Sequence, residues 1–257
     1  MRLSIENVEF RYASAPVLTN ICMEMGSSEI VAICGPNGVG KSTLIRCINR
    51  ILKPQGSIRL EGRDINGMSM MHIAKQVGYV PQSVPNVFSM TVFEMVLMGR
   101  RPHIGWRSSR IDEEKVIEVL ELMEIEDLAM RDFNELSGGQ RQKVILSRAL
   151  AQEPDVLLLD EPTSSLDLRH QLEVMELIRT LVEKKSLSAV MAIHDLNLAS
   201  RYADKIIMMK EGRIYSAGDS ESVMTPRNIL SVYGVVAAVR NELGKPYVIP
   251  IRNGKTI

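Results

Sequence analysis

The stretch GPNGVGKST, from Gly35 to Thr43, has glycines spaced for binding phosphate groups. It follows the pattern G-x-x-x-x-G-K-S/T and lies between an apolar segment, Ile30 to Cys34, and residues with apolar positions at helical spacing. Glycines let backbone N–H groups approach phosphates without side-chain clashes, while the lysine adds a positive charge and the serine hydroxyl can bind Mg²⁺. We therefore expect a phosphate-binding loop made of Gly35, Pro36, Asn37, Gly38, Val39, Gly40, Lys41, Ser42 and Thr43.

Two acidic residues follow a second apolar segment. Val156 to Leu159 has four apolar residues in a row, which indicates a central parallel strand buried on both faces. Asp160 and Glu161 come next, at the end of the strand where open α/β sheets bind ligands. Alone, the two acids could equally begin a solvated loop. Beside a phosphate loop, Asp160 is suited to hold Mg²⁺ near Ser42, and Glu161 to act as a base for an attacking water or to orient it.

A second glycine-rich turn occurs in LSGGQRQ, far along the chain from the first. Ser137 and Gln140 have the S-x-x-Q spacing of a capping box, which predicts the start of a helix. Gly138 and Gly139 are poor residues for a first helical turn, because each costs about 1 kcal/mol relative to Ala. They leave backbone N–H donors unobstructed at the positive end of a helix, which suits an anion. These residues alone leave open whether the turn binds a second anion or the far side of the first one.

The composition limits the class of protein. At 257 residues the chain is long enough for one domain, or for one domain with an inserted lobe. Its 31 basic and 31 acidic residues give zero formal net charge, which counts against nucleic acid as the main partner. Cys22, Cys34 and Cys47 lack a C-x-x-C spacing, so we expect small core residues in a reducing compartment. The sequence shows no apolar run of membrane-spanning length and no signal-peptide core, which predicts a cytosolic protein that acts at a membrane only through other chains.

Four segments in a fixed order, GPNGVGKST, LSGGQRQ, LLLDEPTSSLD and AIHD, resemble the ATP-binding cassette of ABC transporters. The resemblance runs from about Arg2 to about Gly218. It implies an α/β fold with a RecA-like P-loop core sheet, an N-terminal antiparallel β subdomain and an inserted α-helical subdomain. Within a single domain, 1–257, it implies a nucleotide-binding core with the β subdomain (1–85 and 152–218), a helical subdomain with the LSGGQ signature (86–151) and a C-terminal extension (219–257).

The resemblance also implies how such a site works. ATP and Mg²⁺ are the expected ligands, and two copies are expected to form a head-to-tail homodimer in which the signature turn of one closes over the ATP held by the other. Tyr12 is expected to stack on adenine, and Asp167 to cross the dimer interface. The expected catalytic residues are Glu161, His194 and Gln82, the expected metal-binding residues are Ser42, Gln82 and Asp160, and the expected signature contacts are Ser137, Gly138, Gly139 and Gln140.

Two further segments, VLMGRRPHIGW and SSLDLRHQLEV, resemble the branch of importers that takes up iron–siderophores, haem and cobalamin, with molybdate-type importers nearby. This branch implies two transmembrane permease subunits as partners, an indirect link to a substrate-binding protein, no nucleic-acid partner and a place at the cytoplasmic face of the membrane. The alternatives are a soluble ABC ATPase in translation or DNA repair, and a nucleotide-dependent scaffold. The single cassette, the lack of a heptad run and the complete set of motifs count against both.

The region ahead of the signature is expected to be helical. Thr91 and Glu94 have capping-box spacing for a short helix through Met98, and Asp112 is expected to cap a longer one. Methionines in this region could line a groove for a membrane subunit or belong to the core; they are Met90, Met95 and Met98. Residues 219–257 carry no catalytic motif, and their short apolar runs predict a final strand or hairpin packed on the core.

Overall fold

The computed structural model describes residues 1–13, 15–83, 89–164 and 166–254. The predicted boundary between residues 85 and 86 lies outside these ranges. In chain order the strands are β1 (Leu3–Tyr12), β2 (Ala15–Met25), β3 (Ile30–Cys34), β4 (Gln55–Leu60), β5 (Arg63–Asp64), β6 (Val77–Val80), β7 (Val156–Asp160), β8 (Ser188–Ala192), β9 (Lys205–Lys210), β10 (Arg213–Gly218), β11 (Val235–Glu242) and β12 (Lys245–Asn253). The α-helices are α1 (Lys41–Ile48), α2 (Met70–Gln76), α3 (Val92–Leu97), α4 (Arg110–Leu122), α5 (Gly138–Leu150), α6 (Leu168–Lys185), α7 (Leu196–Tyr202), α8 (Ser220–Val223) and α9 (Pro226–Tyr233).

The central sheet has the order β10-β9-β3-β8-β7-β6. Neighbouring strands from β9 to β6 run parallel, and β10 pairs antiparallel with β9. The two apolar segments singled out in the sequence are β3 and β7, and every residue of both strands is buried. Because the two strands run in the same direction, their carboxyl ends lie along the same edge of the sheet. The phosphate loop and the acidic pair both begin at this edge.

A separate antiparallel sheet near the N-terminus has the order β2-β1-β4-β5. Together with the central sheet and the helices, it confirms the predicted α/β fold with an N-terminal antiparallel part. The buried core has one layer on each face of the central sheet, because side chains alternate along a strand. On β3, Ile30 and Ala32 pack with the helices α3 to α6, whereas Val31 and Ile33 pack with α1 and the N-terminal sheet.

The helices α3, α4 and α5 pack together as the expected helical part. A capping box of Thr91 and Glu94 starts α3, as predicted. The prediction that Asp112 caps the next helix was wrong, because the N-cap of α4 is Ser109. Asp112 is the third residue of that helix and its carboxylate accepts hydrogen bonds from the Ser109 backbone N–H (3.0 Å) and hydroxyl (2.7 Å). Asp112 also accepts a hydrogen bond from the buried Arg100, at 3.2 Å, so it links the cap to the interior of the lobe.

The three methionines of this region have different environments. Met95 is buried in the core, and Met90 is partly buried against it. Met98 is about half exposed, and it lines a groove of about 340 Å³ together with Ile51, Met70 and Tyr79. Met90 and Met98 also line a second groove of about 390 Å³ on the helical part, so both fit the surface role that was weighed for this group, whereas Met95 belongs to the core.

The C-terminal residues form α8, α9 and an antiparallel hairpin of β11 and β12, in agreement with the predicted hairpin. The hairpin packs on α7 through polar contacts. The Asn197 side chain donates to the Val248 carbonyl at 3.2 Å and accepts from the Val248 N–H at 2.7 Å. The Ser200 hydroxyl donates to the Pro246 carbonyl at 2.7 Å. The extension is therefore tied to the helix that follows His194.

The three cysteines are free thiols. Cys34 and Cys47 are core residues, and burial raises the pKa of each thiol to about 12. Cys22 is exposed on β2, so the expectation that all three lie in the core was wrong for this residue. The cause is strand alternation, which turns Cys22 outward between the buried Ile21 and Met23. Among the described helices, none is long and apolar enough to span a membrane.

Candidate active site

The glycine-rich loop joins the end of β3 to the start of α1. Gly40 is the N-cap of α1 and has a φ of 108°, a conformation that L side chains rarely adopt. A Cβ at Gly40 would also lie 2.8 Å from the Leu18 side chain, and one at Gly35 would lie 2.7 Å from the Met209 carbonyl. Glycine is therefore required at both positions by backbone conformation and by close packing. The loop leaves the N-terminal backbone donors of α1 facing the cleft, as an anion site requires.

Lys41 begins α1 and is buried inside the loop. Its ammonium group donates to the carbonyls of Gly35 at 2.8 Å and Pro36 at 3.0 Å. Burial lowers the pKa of Lys41, and the negative charge of Glu161 opposes this shift. The loop thus fixes the positive charge beside its own backbone donors.

Asp160 ends β7 and contacts the phosphate loop. The Ser42 hydroxyl donates to Asp160 Oδ1 at 2.7 Å. The side chain is 1% exposed, and its other oxygen, Oδ2, is buried without a hydrogen-bond partner. Burial raises the pKa of Asp160, and the hydrogen bond from Ser42 opposes that rise. A buried carboxylate oxygen with no partner, next to a hydroxyl, fits a divalent cation.

The donor set also identifies the kind of cation. In the described part of the chain, no group of three His, Cys, Asp or Glu side chains could hold a metal by itself. Mg²⁺ does not need such a cluster, because it is usually held by one or two protein oxygens, water and substrate phosphates. Asp160 and Ser42 therefore fit Mg²⁺ that is bound together with a polyphosphate.

Glu161 lies at the centre of three polar side chains. Gln82 Nε2 donates to Glu161 Oε2 at 2.5 Å, and His194 Nε2 lies 2.5 Å from Glu161 Oε1. Glu161 has a φ of 54°, in the left-handed region that non-glycine residues seldom occupy. Its N–H donates to the Ala192 carbonyl at 3.1 Å, which holds this backbone conformation at the end of β8. The carboxylate is thus oriented by one residue from each of two neighbouring loops.

These side chains surround a cleft of about 470 Å³. Tyr12 lies at its rim, is 45% exposed, and packs edge-on against Phe10 with ring centres 4.9 Å apart. Gly35, Pro36 and Val39 do not line the cleft but form the loop beneath it. The lining residues are Tyr12, Val17, Asn37, Gly38, Gly40, Lys41, Ser42, Thr43, Gln82, Glu161 and His194.

The signature turn lies elsewhere in the same chain. The predicted capping box is present: the Gln140 N–H donates to Ser137 Oγ at 3.4 Å, and the Ser137 N–H donates to Gln140 Oε1 at 3.1 Å. Ser137 and Gly138 are exposed, and no residue of the turn lines the cleft. Asp167 is the N-cap of α6, and it does not line the cleft either. The structure thus brings the phosphate loop together with Gln82, Asp160, Glu161 and His194, and it leaves the signature turn and Asp167 on the surface.

Two residues near these sites were not singled out from the sequence. Val17 lines the cleft with Tyr12, and the strand alternation of APVLT could have indicated an apolar neighbour for the tyrosine. His170 contacts both Asp167 and Gly139. In the sequence, His170 is indicated only by its place in the segment SSLDLRHQLEV. Its contact with Gly139 depends on how α5 and α6 pack, which the sequence does not show.

The buried charge of Asp160 makes a prediction about stability. Without nucleotide or magnesium, Asp160→Asn should melt at a higher temperature than the native chain near neutral pH, because a neutral amide loses less on burial than an unpaired carboxylate. The Ser42 bond can be kept by the amide oxygen. Because folding raises the pKa of this carboxyl, its protonated form contributes to the stability of the folded chain. That contribution is fully present below the pKa of the unfolded state and is lost as the pH rises through the folded-state pKa.

The melting-temperature gap should therefore narrow as the pH is lowered from about 7.5 to about 4.5, towards the ordinary Asp value of about 3.9. Thermal melts at several pH values measure this, with each kcal/mol corresponding to about 2–4 °C in a chain of this size. Asp127→Asn is the matched control, because Asp127 is exposed. A gap that is absent, reversed or independent of pH would contradict the assignment of a buried, costly carboxylate.

Comparisons with known proteins agree with this geometry. The family model described as ABC transporter matches residues 18–164. An uncharacterized ABC transporter ATP-binding protein of Methanocaldococcus jannaschii is 51% identical over 252 residues, which cover 98% of each chain. The probable siderophore transport system ATP-binding protein YusV of Bacillus subtilis is 38% identical over 99% of this chain and 94% of its own. A solved structure described as an inward-facing metal-chelate type ABC transporter has a TM-score of 0.86 and 29% identity, over 97% of each chain. The match in fold confirms the predicted RecA-like cassette with its inserted helical part.

Proposed function

Because this chain belongs to the ABC transporter family and is an ATPase, we propose that it is the ATP-hydrolysing subunit of an importer for metal chelates. Two copies close head to tail on two Mg·ATP and drive separate membrane subunits between inward- and outward-facing states. The observation that carries this proposal is that the chain holds a complete set of catalytic side chains in its cleft, while its signature turn lies outside that cleft. In this proposal, the signature turn contacts ATP only in the cleft of a second copy of the chain.

The cleft can bind each part of Mg·ATP. The backbone donors from Gly35 to Thr43 take the phosphates, Lys41 supplies charge at their terminal end, and Tyr12 stacks on the adenine. Asp160 and Ser42 hold the metal, with Gln82 as a further oxygen donor at the edge of the site. Held by these residues, Mg²⁺ would supply positive charge that neutralises part of the phosphate charge.

Hydrolysis is assigned to Glu161. Its carboxylate accepts a proton from the attacking water as the water bonds to the γ-phosphorus and the bond to the β-phosphate oxygen breaks. His194 and Gln82 hold the carboxylate in place through its two oxygens. A contact of His194 with the γ-phosphate is also part of the proposal.

The second copy supplies the missing half of the site. Ser137 and Gly138 present a hydroxyl and a backbone donor at the exposed N-terminus of α5, and the buried Gly139 follows them in the first turn. In a head-to-tail dimer these donors face the γ-phosphate in the partner's cleft, with Gln140 beside them and Asp167 crossing the interface. Of the two alternatives that the sequence leaves open, the proposed dimer therefore uses the turn as the far side of the partner's ATP site.

A groove between the core and the helical part is the proposed contact with the membrane subunits. It is lined by half-exposed apolar side chains, among them Ile51, Met70 and Met98. Flexible methionines adapt well to the face of an amphipathic helix. The groove supports a chain that lies at the cytoplasmic face of the membrane and is bound there by two permease subunits, without a nucleic-acid partner.

The names of similar proteins support the proposed cargo class. One relative is named for siderophore transport and one structural neighbour for metal chelates, which supports an iron–siderophore, haem, cobalamin or similar chelate over molybdate. The cleft itself does not contact cargo. Selection is made by the permease and by a substrate-binding protein that delivers the chelate.

The test is to purify this chain together with candidate permease subunits from the same organism and to reconstitute them in liposomes with a candidate substrate-binding protein. We expect two copies of the chain in each complex, and an ATPase rate that rises with a ferric siderophore, haem or cobalamin but not with molybdate. A chain that copurifies with ribosomes or repair proteins instead, or a complex stimulated only by molybdate, would overturn the proposal.

A further inference from the structure

The first turn of α6 connects the two exposed elements that the proposed dimer uses. We propose that His170 is a positioning residue that fixes the signature turn relative to Asp167 of the same chain. Both elements then reach the partner's ATP site as one rigid unit. This inference rests on the proposed head-to-tail dimer and assigns a role to a residue outside the family motifs that carry the chemistry.

The first contact of His170 is with Asp167. The ring nitrogen Nδ1 lies 2.7 Å from Asp167 Oδ1, and the His170 backbone N–H donates to the same oxygen at 2.9 Å. These two hydrogen bonds hold the pKa of Asp167 below its usual value. A charged carboxylate accepts from Nδ1–H, so this geometry fixes the ring orientation and leaves Nε2 pointing away from Asp167.

The second contact of His170 is with the signature turn. A Cβ placed on Gly139 would lie 2.5 Å from Cδ2 of the His170 ring and 3.0 Å from its Nε2. The imidazole therefore fills the space where a side chain at position 139 would be. Gly139 is buried, while Ser137 and Gly138 beside it are exposed. The ring thus supports the inner side of the turn and leaves the outer side free for a ligand.

The next residue strengthens the same unit. Gln171 Nε2 donates to the carbonyls of Thr163 at 3.2 Å and Leu166 at 3.1 Å. These bonds anchor the loop ahead of Asp167 to α6. The first turn of α6 consequently holds the Asp167 loop through Gln171 and the signature turn through the His170 ring.

The contacts favour a role in geometry over a role in stability. The Asp167 side chain is 67% exposed and that of His170 is 40% exposed, and a polar contact this exposed adds little to global stability even where both groups are charged. Loss of the ring should therefore leave the fold and the cleft of the same chain intact. It should instead let Gly139 and Asp167 move independently, which weakens the contact that each makes across the dimer.

The experiment measures ATP-driven dimerisation in a Glu161→Gln background, where ATP persists. Adding His170→Ala should weaken the dimer by about 2–150-fold, the range that corresponds to coupling between neighbouring residues, with ATP affinity of the monomer unchanged. In the otherwise native chain, kcat should fall by a similar factor while KM stays within about twofold. His170→Asn keeps a donor for Asp167 but not the ring, so it should recover part of the loss. His72→Ala, at an exposed histidine of α2, is the matched control.

A double-mutant cycle separates positioning from general damage. If His170 acts through Asp167, the dimerisation defects of His170→Ala and Asp167→Ala should be clearly less than multiplicative. Native behaviour of His170→Ala, or defects that multiply in full, would overturn the inference while leaving the dimer in place. Failure of the Glu161→Gln chain with native His170 to dimerise with ATP would overturn the dimer, and this inference with it.

Discussion

Glu161→Gln should hydrolyse ATP about 10²–10⁴-fold more slowly than the native chain, the loss typical of removing a general base. Glutamine has nearly the same shape and can keep hydrogen bonds to Gln82 and His194, but it cannot accept the proton of the attacking water. The phosphate loop and Asp160 do not depend on this charge for their geometry. ATP affinity should therefore stay close to native, so that binding and turnover separate in one variant.

The measurement is phosphate release under single-turnover conditions, together with equilibrium binding of a fluorescent ATP analogue. Glu124→Gln is the matched control, because Glu124 is exposed and has the same unusual φ of 54°. The control tests whether changing a carboxylate in this backbone conformation is harmful by itself. Native turnover in Glu161→Gln would remove Glu161 from the reaction, and a parallel loss of ATP binding would show that its role is structural.

The features that sequence predicted well are those determined by neighbours along the chain. The phosphate loop needs glycines with left-handed or extended backbone beside a strand end, and that requirement is written in consecutive residues. Capping boxes at Thr91 and Ser137 are also local, because the two partners are three residues apart. The apolar run of β7 predicted a buried central strand, since a strand covered on both faces has no polar positions.

The expectations that failed were based on residue types that fit more than one position in the structure. Asp112 is a good N-cap residue by type, yet Ser109 occupies the cap and Asp112 completes the box from the third helical position. The competing factor is Arg100, whose buried guanidinium draws the Asp112 carboxylate inward. Cys22 is apolar by type but is exposed, because a residue type does not report which face of an element is covered.

The contacts that sequence did not reveal join distant segments. The Asn197 amide pairs with the Val248 backbone, and the His170 ring fills the space beside Gly139. Each depends on the packing of one element on another, and neither residue type has a strong preference for its partner. The left-handed backbone of Glu161 is similar, because glutamate does not favour it and the Ala192 carbonyl stabilises it from a neighbouring strand.

Ser137→Arg should abolish ATP-driven dimerisation and reduce ATPase activity to background, while leaving ATP binding to the monomer nearly native. Ser137 is exposed and lies outside the cleft of its own chain, so the added guanidinium cannot displace that chain's nucleotide. In the head-to-tail dimer the same position faces the partner's γ-phosphate, and the longer side chain blocks close approach. Sedimentation of the Glu161→Gln, Ser137→Arg double variant with and without ATP measures the first effect.

The control must separate a blocked interface from a weakened helix, because loss of a serine N-cap costs about 0.5–2 kcal/mol. Ser109→Arg meets this need: Ser109 is an exposed N-cap with the same capping-box geometry, on α4 rather than α5. It should lose a similar amount of thermal stability and still dimerise with ATP. If both variants fail to dimerise, helix destabilisation explains the result. If the Ser137 variant dimerises normally, the signature turn does not lie against the partner's nucleotide, and the two-copy site is wrong.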